Sequence, residues 1–293
     1  MAAAALVAVA CAGCGLGSAP GAHRVGLRVT EDFGARLVSA TSVARLRGSP
    51  TLLGLLRRSF AVGTGRGGRE VTSIGGRAGD WSVSVNGIAV TRAPGAVAVH
   101  PGDQIWWDMH AAGSVRAVVG AFPEPFLHGF GGKRYPVTVE CAGGVSAACH
   151  RVTAALGAAR VPVSSQFIGT GSGPDTLGVV VGTWSELGSQ LAGALIAHGP
   201  GASGVYARFA GARGGTLQLL DPDGRVVRTL GAGTGLVAAT ADSASVPTWL
   251  ITGTDAAGVR AAAAALAPGA LHDHYALAVR GADRIPVPLR PRS

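Results

Sequence analysis

Between residues 23 and 31 apolar and polar side chains alternate, with Val25, Leu27 and Val29 on one side. That period of two is the pattern of a half-buried strand. Gly34 supplies a turn, and residues 37–43 return as a hairpin partner. Ser49-Pro50 reads as an N-cap followed by a proline at the first helical position, opening a short helix over 51–59 with Leu52, Leu55 and Leu56 on one face. After a glycine-rich loop at 63–68, short strands are predicted at 70–74, 81–85, 88–91, 96–100, 104–108 and 115–119. Asn86-Gly87 joins two of them, and a type I′ hairpin turn, which needs φ > 0 at both central positions, selects that dipeptide. Pro101-Gly102-Asp103 marks a second turn. Two strands, a helix and then further strands predict an α+β fold with a mixed or antiparallel sheet.

The second half has a different rhythm. A strand at 137–140 leads to a helix at 149–156, and the apolar run 179–182 leads to a helix at 185–198 and a strand at 205–209. The order recurs as a strand at 249–251, a turn at Thr252-Gly253-Thr254-Asp255, a helix at 256–266 and a strand at 274–279. The two stretches read as an internal repeat, each closing on a strand that carries Tyr206 or Tyr275. Between them 217–220 and 226–229 form a hairpin about Asp221-Pro222-Asp223-Gly224, and the tail 285–292 is proline-rich and extended. The expected architecture is α+β, its second part a smaller α/β domain with two strand-helix-strand units.

Composition narrows the function classes. The chain has 293 residues, 47% hydrophobic and 14% charged, which is a folding composition with room for two domains. Net charge is +9, carried by singly scattered arginines apart from Arg57-Arg58; Lys133 is the only lysine. Nucleic-acid binding would call for clustered basic residues, so it is not expected, whereas affinity for acidic cell-surface polymers is compatible with the charge. No apolar run long enough to span a bilayer follows the start of the chain.

The front of the chain is rich in Ala, Val and Leu up to Cys-Ala-Gly-Cys-Gly-Leu-Gly-Ser, a secretory-signal pattern over residues 1–22. Small residues before a cysteine, with a Gly/Ser/Pro linker behind it, resemble the lipobox of bacterial lipoproteins. Cys14 is the favoured lipid acceptor and Cys11 the alternative. The apolar stretch is short and no basic residue precedes it, which a start further upstream would explain; an Ala-rich tail on a cytosolic protein is the plainer reading. Cys141 and Cys149, a close pair in an exported chain, are expected to form a structural disulfide. A metal reading would need more ligands than these two and His150.

Three motifs then carry a family resemblance: Val71-Thr-Ser-Ile-Gly75, Trp81-Ser-Val-Ser-Val-Asn-Gly87, and Val99-His-Pro-Gly-Asp-Gln-Ile-Trp-Trp-Asp108. In this order they resemble the transcobalamin C-terminal-like domain, a β-grasp (ubiquitin-like) family, over about residues 24–120. The following stretch, 117–129, is similar to a continuation seen in actinobacterial members. In transcobalamin-like proteins this domain covers one face of a corrinoid and an α/α-toroid covers the other. No toroid-like helical array occurs here. The chain is thus expected to divide into a leader and linker at 1–22, a β-grasp domain at 23–122 on which the resemblance rests, and an α/β domain at 123–293 with a disulfide near its start. It implies no cofactor, with a corrinoid or another vitamin as ligand.

Trp81, Trp106 and Trp107 are the ligand candidates. Neighbours on a strand point to opposite faces, so one of Trp106 and Trp107 is either exposed as a stacking platform or covered by another domain. Asn86 is included with them, although it is a turn residue first. Gly63-x-Gly65-x-x-Gly68 lacks the strand, helix and acidic residue of a dinucleotide site, and Gly171 stands where a Gly-x-Ser-x-Gly nucleophile would be. His272-Asp273-His274 reads as a loop, and Glu124 with His128 as a polar cluster at the domain seam. No catalytic or metal set emerges. The expectation is an exported, lipid-anchored, non-catalytic protein on the outer face of the cell membrane, binding a small molecule in connection with uptake. Its partners would be that ligand or an envelope or transporter protein. The alternative is a structural or adhesive surface protein.

Overall fold

The alternation at the start of the chain becomes β1 (Val25–Glu31), which buries Val25, Leu27 and Val29. The structure, a computed structural model, describes residues 24–43, 46–110, 113–170, 173, 175–242 and 246–290. The leader, with Cys11 and Cys14, lies outside them. A turn through Asp32, Phe33 and Gly34, all at positive φ, returns the chain as β2 (Arg36–Val43). The helix α1 (Leu52–Ser59) buries Leu52, Leu53, Leu55 and Leu56. Its cap is Thr51 and not Ser49, because the Thr51 hydroxyl accepts from the Gly54 amide at 3.1 Å. Strands β3 (Val62–Gly65), β4 (Glu70–Ile74) and β5 (Arg77–Ala78) form a small antiparallel sheet of their own.

Then come β6 (Trp81–Val85), β7 (Ile88–Ala89) and β8 (Gln104–Met109). They complete a five-stranded sheet in the order β2-β1-β8-β6-β7, with β8 parallel to β1 and antiparallel to β6. Asn86 and Gly87 stand at φ 54° and 76°, the positive values the turn requires. The strands expected at 96–100 and 115–119 do not form. Pro94 opens a 3-10 turn instead, and Ala98 and Ala117 make isolated bridges to Thr51 and Ile88.

The second half is built on β9 (Val137–Cys141), α2 (Ser146–Ala158), β10 (Ser164–Phe167), β11 (Leu177–Thr183), α3 (Trp184–Leu187), α4 (Leu191–Ala197) and α5 (Pro200–Ser203). There follow β12 (Ala207–Ala210), β13 (Thr216–Leu220), β14 (Val226–Leu230), β15 (Thr234–Thr240), β16 (Thr248–Gly253), α6 (Ala256–Ala264), α7 (Pro268–Leu271), β17 (Ala276–Arg280) and β18 (Asp283–Val287). The main sheet has seven strands in the order β10-β9-β11-β16-β15-β17-β18. It is parallel from β10 to β16 and antiparallel from β15 onward. Buried residues of α2 and α6 pack on one face. Those of α3, α4 and the β12-β13-β14 sheet pack on the other.

Several expectations are corrected here. The second half carries the larger sheet, not the smaller one. The helix expected at 185–198 is two, α3 and α4, broken at Gly188. Thr183 and Glu186 close a capping box on the first. The repeat is one of sequence order and not of pairing: β12 leaves the main sheet, whereas β17 stays in it, antiparallel to β15. Cys141 and Cys149 are joined, with Cα atoms 6.1 Å apart, tying the end of β9 to α2. Phe122 and Phe126, on either side of the expected boundary, pack against Trp249 of β16 with ring centroids 6.0 and 5.0 Å away.

A candidate ligand groove where the two sheets meet

Pleating divides the side chains of β8 between two cores. Trp107 points toward α1 and is 1% exposed among Val83, Ile105 and Leu56. Trp106 points the other way and is covered by the second half. It belongs to a small cluster with Phe33, Val118, Tyr206, Leu220 and Tyr275, its ring centroid 5.2 Å from that of Tyr275 in an edge-on contact. Of the two outcomes expected for this pair, coverage by another part of the chain is the one found. Trp81 is half-buried at the edge of the first core, and its indole N–H donates to the Arg77 carbonyl at 3.2 Å.

Residues two apart on a strand share a face, so Asp108 and His110 follow Trp106 toward the second half. Asp108 is 1% exposed. Its carboxylate accepts from the backbone amides of Phe33 and Gly34 at 2.9 and 3.0 Å, from the Thr30 hydroxyl, from His110 Nδ1 at 2.8 Å and from the Tyr275 hydroxyl at 3.1 Å. The Thr30 hydroxyl in turn receives the Trp106 indole N–H at 2.6 Å. Burial alone would raise the Asp108 pKa; the hydrogen bonds from His110 and Thr30 outweigh it and hold the carboxyl below its usual range. Burial, reinforced by the Asp108 charge, pushes Tyr275 well above the usual phenol value, so it stays a donor.

Beside this network lies a groove of about 520 Å³. It wraps the free edge of β6, where β7 pairs with Ser84 and Val85 alone. Trp81 and Thr72 line it on the α1 side, and Trp106, His110, Arg116 and Tyr275 on the other. Ser84 lines it too, only 8% exposed, with no hydrogen-bond partner for its hydroxyl among the described residues. A second groove of about 420 Å³ opens on the other side of the Trp106 ring, with Arg28, Glu124 and Asp273 in its wall. An Arg28–Asp273 ion pair crosses between the two halves there.

The other singled-out residues have internal duties. Asn86 is fully buried; its amide donates to Asp103 Oδ1 at 3.0 Å and the Gly129 carbonyl at 2.8 Å, and its oxygen accepts from the Gln104 amide at 2.8 Å. With those bonds made it holds the hairpin to the 117–129 segment and has little left for a ligand. Trp107 likewise fills the α1 core and has no face toward the seam. Glu124 and His128 are hydrogen-bonded to each other, and that bond, with the Glu124 charge, raises the imidazole pKa against the opposing effect of burial. Asp273 of the His272-Asp273-His274 run is taken up by Arg28.

The sequence reading passed over Asp108, His110, Tyr275, Ser84 and Arg116. Asp-x-His with Trp two positions earlier places all three on one face, a signal present in the sequence; Tyr275, from the distant strand-helix-strand unit, gave none. Among the described residues no three His, Cys, Asp or Glu side chains converge as metal ligands, and no helix is long and apolar enough to cross a membrane. Compared with known proteins, the chain matches no family model, no curated protein and no solved structure.

Proposed function

We propose that this is an exported, lipid-anchored, non-catalytic protein that binds a small molecule in the groove around β6, in connection with uptake. The observation that carries the reading is that groove: within the size range of ligand sites, walled by aromatic rings, with a half-buried indole at one end and the hydroxyl of Ser84, which has no partner among the described residues, on its wall. Counted within its own sheet, the first half orders its strands two-one-five-three-four, with the first and last parallel and a helix after the first hairpin. That connectivity supports the β-grasp reading and, with it, the transcobalamin-like resemblance and a corrinoid or other vitamin as ligand class. The Cys141–Cys149 disulfide supports an oxidising compartment.

The non-catalytic reading draws support at one constellation, Ser82, His110 and Asp108. A serine–histidine–acid set places nucleophile and acid on opposite ring nitrogens. Here Ser82 Oγ and Asp108 both approach His110 Nδ1, at 3.4 and 2.8 Å.

Titration of intrinsic tryptophan fluorescence with a vitamin panel that includes corrinoids tests the binding reading, and the lack of any saturable change would refute it. Labelled palmitate incorporation that is lost in Cys14→Ser and kept in Cys11→Ser tests the anchor. A second reading, an adhesive surface protein, draws on the unpaired edge of β6 and the net charge of +9. A stable protein partner recovered from envelope extract would favour it.

A further inference from the structure

We infer that the groove selects an anionic ligand, a small planar molecule bearing a carboxylate or a similarly charged acid, with Arg116 as its counter-ion. The inference rests on the binding reading above and adds the chemistry of the ligand.

Groove-lining side chains without a partner among the described residues include the Arg116 guanidinium and the hydroxyls of Ser84 and Ser114, together with the hydroxyls of Thr72 and Thr91 and the exposed carboxylate of Asp80. Arg116 is only half-buried, but its backbone is fixed, since its carbonyl accepts from the Ala89 amide at 3.0 Å. Ser84 sits opposite Trp106 in the β6–β8 pairing, on the face turned to the second half, where Val83 and Val85 face the α1 core instead. The Ser84 hydroxyl makes no hydrogen bond within the described residues and is therefore open to whatever fills the groove.

The carboxylates near the groove do not cancel this cation. Asp108 is fully engaged by its own donors. Glu70 pairs with Arg66 at 3.2 Å on the surface. Asp80 is exposed, so water screens it more strongly than the half-buried Arg116. A guanidinium on the wall of a groove that also carries hydroxyls matches the planar, two-oxygen geometry of an acid group. The rings of Trp106, His110 and Tyr275 form an apolar wall on the same side of the sheet.

The test uses two fluorescent probes of similar shape and different charge, anilinonaphthalene sulfonate and the neutral phenylnaphthylamine, titrated into the full-length protein. The sulfonate is expected to bind saturably, one molecule per chain, and about tenfold more weakly in Arg116→Gln, the loss of one charge-assisted contact. Arg116→Lys should recover part of that loss. Ser114→Asp, which leaves Arg116 untouched, should weaken the sulfonate by a similar factor. None of the three substitutions should move the binding of the neutral probe, which also reports that each variant is folded. If both probes bind and the substitutions shift neither, or shift both equally, the anion inference fails while the binding reading stands. If neither probe saturates, the binding reading itself fails.

Discussion

The hydroxyl of Tyr275, the residue just before β17, donates to the carboxylate of Asp108 on β8, 3.1 Å away and 167 residues earlier in the chain. The bond crosses from one sheet to the other inside a cluster of rings, so neither partner can turn to water instead. Tyr275→Phe should therefore destabilise the fold by about 1.5–3 kcal/mol, the range for a buried hydrogen bond to a charged group. Tyr206 lies in the same ring cluster but its hydroxyl bonds to nothing among the described residues. Tyr206→Phe is expected to stay within about 0.5 kcal/mol of the parent. Urea denaturation of the two variants measures the contrast; equal effects would show that the Tyr275–Asp108 bond adds no stability.

Close approach across the seam depends on glycine. A Cβ at Gly120 would lie 2.9 Å from the His274 backbone nitrogen and oxygen and 2.9 Å from the Trp106 ring. Backbone cannot give way there as a flexible side chain could. Gly120→Ala is expected to cost about 1–3 kcal/mol, the usual range for overpacking. Gly157, in the last turn of α2, has nothing within 4 Å of the corresponding position. Gly157→Ala should be neutral or stabilising by up to about 1 kcal/mol. The two midpoints of thermal unfolding should move in opposite directions or, at the least, separate clearly.

Local patterns were legible in the sequence wherever one face of an element meets the core. The alternation of β1, the Leu stripe of α1 and the Asn86-Gly87 turn could all be read that way. The strand β15 could not: Thr234 to Thr240 is buried along its whole length, so Gly, Ala and Val follow one another without a polar face to mark the period. The opposite facing of Trp106 and Trp107 followed from pleating alone, yet what covers Trp106 did not. That answer belongs to Tyr275 and Tyr206, from strands whose place in the fold only long-range pairing decides. The same holds for the groove. Ser84 and Arg116 are ordinary surface residues by sequence, and it is the shortness of β7 that leaves the edge of β6 open beside them.

Two titrations should act on stability with opposite signs. Asp108 is held below its ordinary value of 3.8, so its contribution is present above that pH and is lost as pH falls through the lower, folded value. His128 is held above 6.5 by its bond to Glu124. Its contribution is complete below about pH 6.5 and is lost as pH rises through the raised, folded value. Glu124→Gln should therefore destabilise more at about pH 5.5 than at about pH 8.5. Parallel denaturation series at the two pH values check it, and a pH-independent difference would assign the pair a purely packing role.

The Cys141–Cys149 bond closes a loop of eight residues' separation between β9 and α2. Loop-closure entropy for so short a ring predicts that the double Cys→Ser variant loses about 2–3 kcal/mol. The effect should be global, because Cys149 and Val152 of α2 lie in the same core as Trp249. Reductant added to the native protein should lower the unfolding midpoint as far as the double substitution does. A variant as stable as the parent would show that α2 packing alone fixes the end of β9.

Of the five tryptophans, Trp81 alone is half-buried; Trp106, Trp107, Trp184 and Trp249 are each no more than 9% exposed. A neutral quencher such as acrylamide reaches an indole only by contact. The native protein should therefore show one minor, readily quenched component on a larger resistant one, and Trp81→Phe should abolish the first without changing the second. Because Trp81 lines the groove, a ligand that fills it should protect the same component. Quenching that persists in Trp81→Phe would mean that another indole is open to solvent, contrary to the packing of the seam. Quenching lost in the variant but unaffected by a saturating ligand would place that ligand on the Trp106 side of β6, away from Trp81.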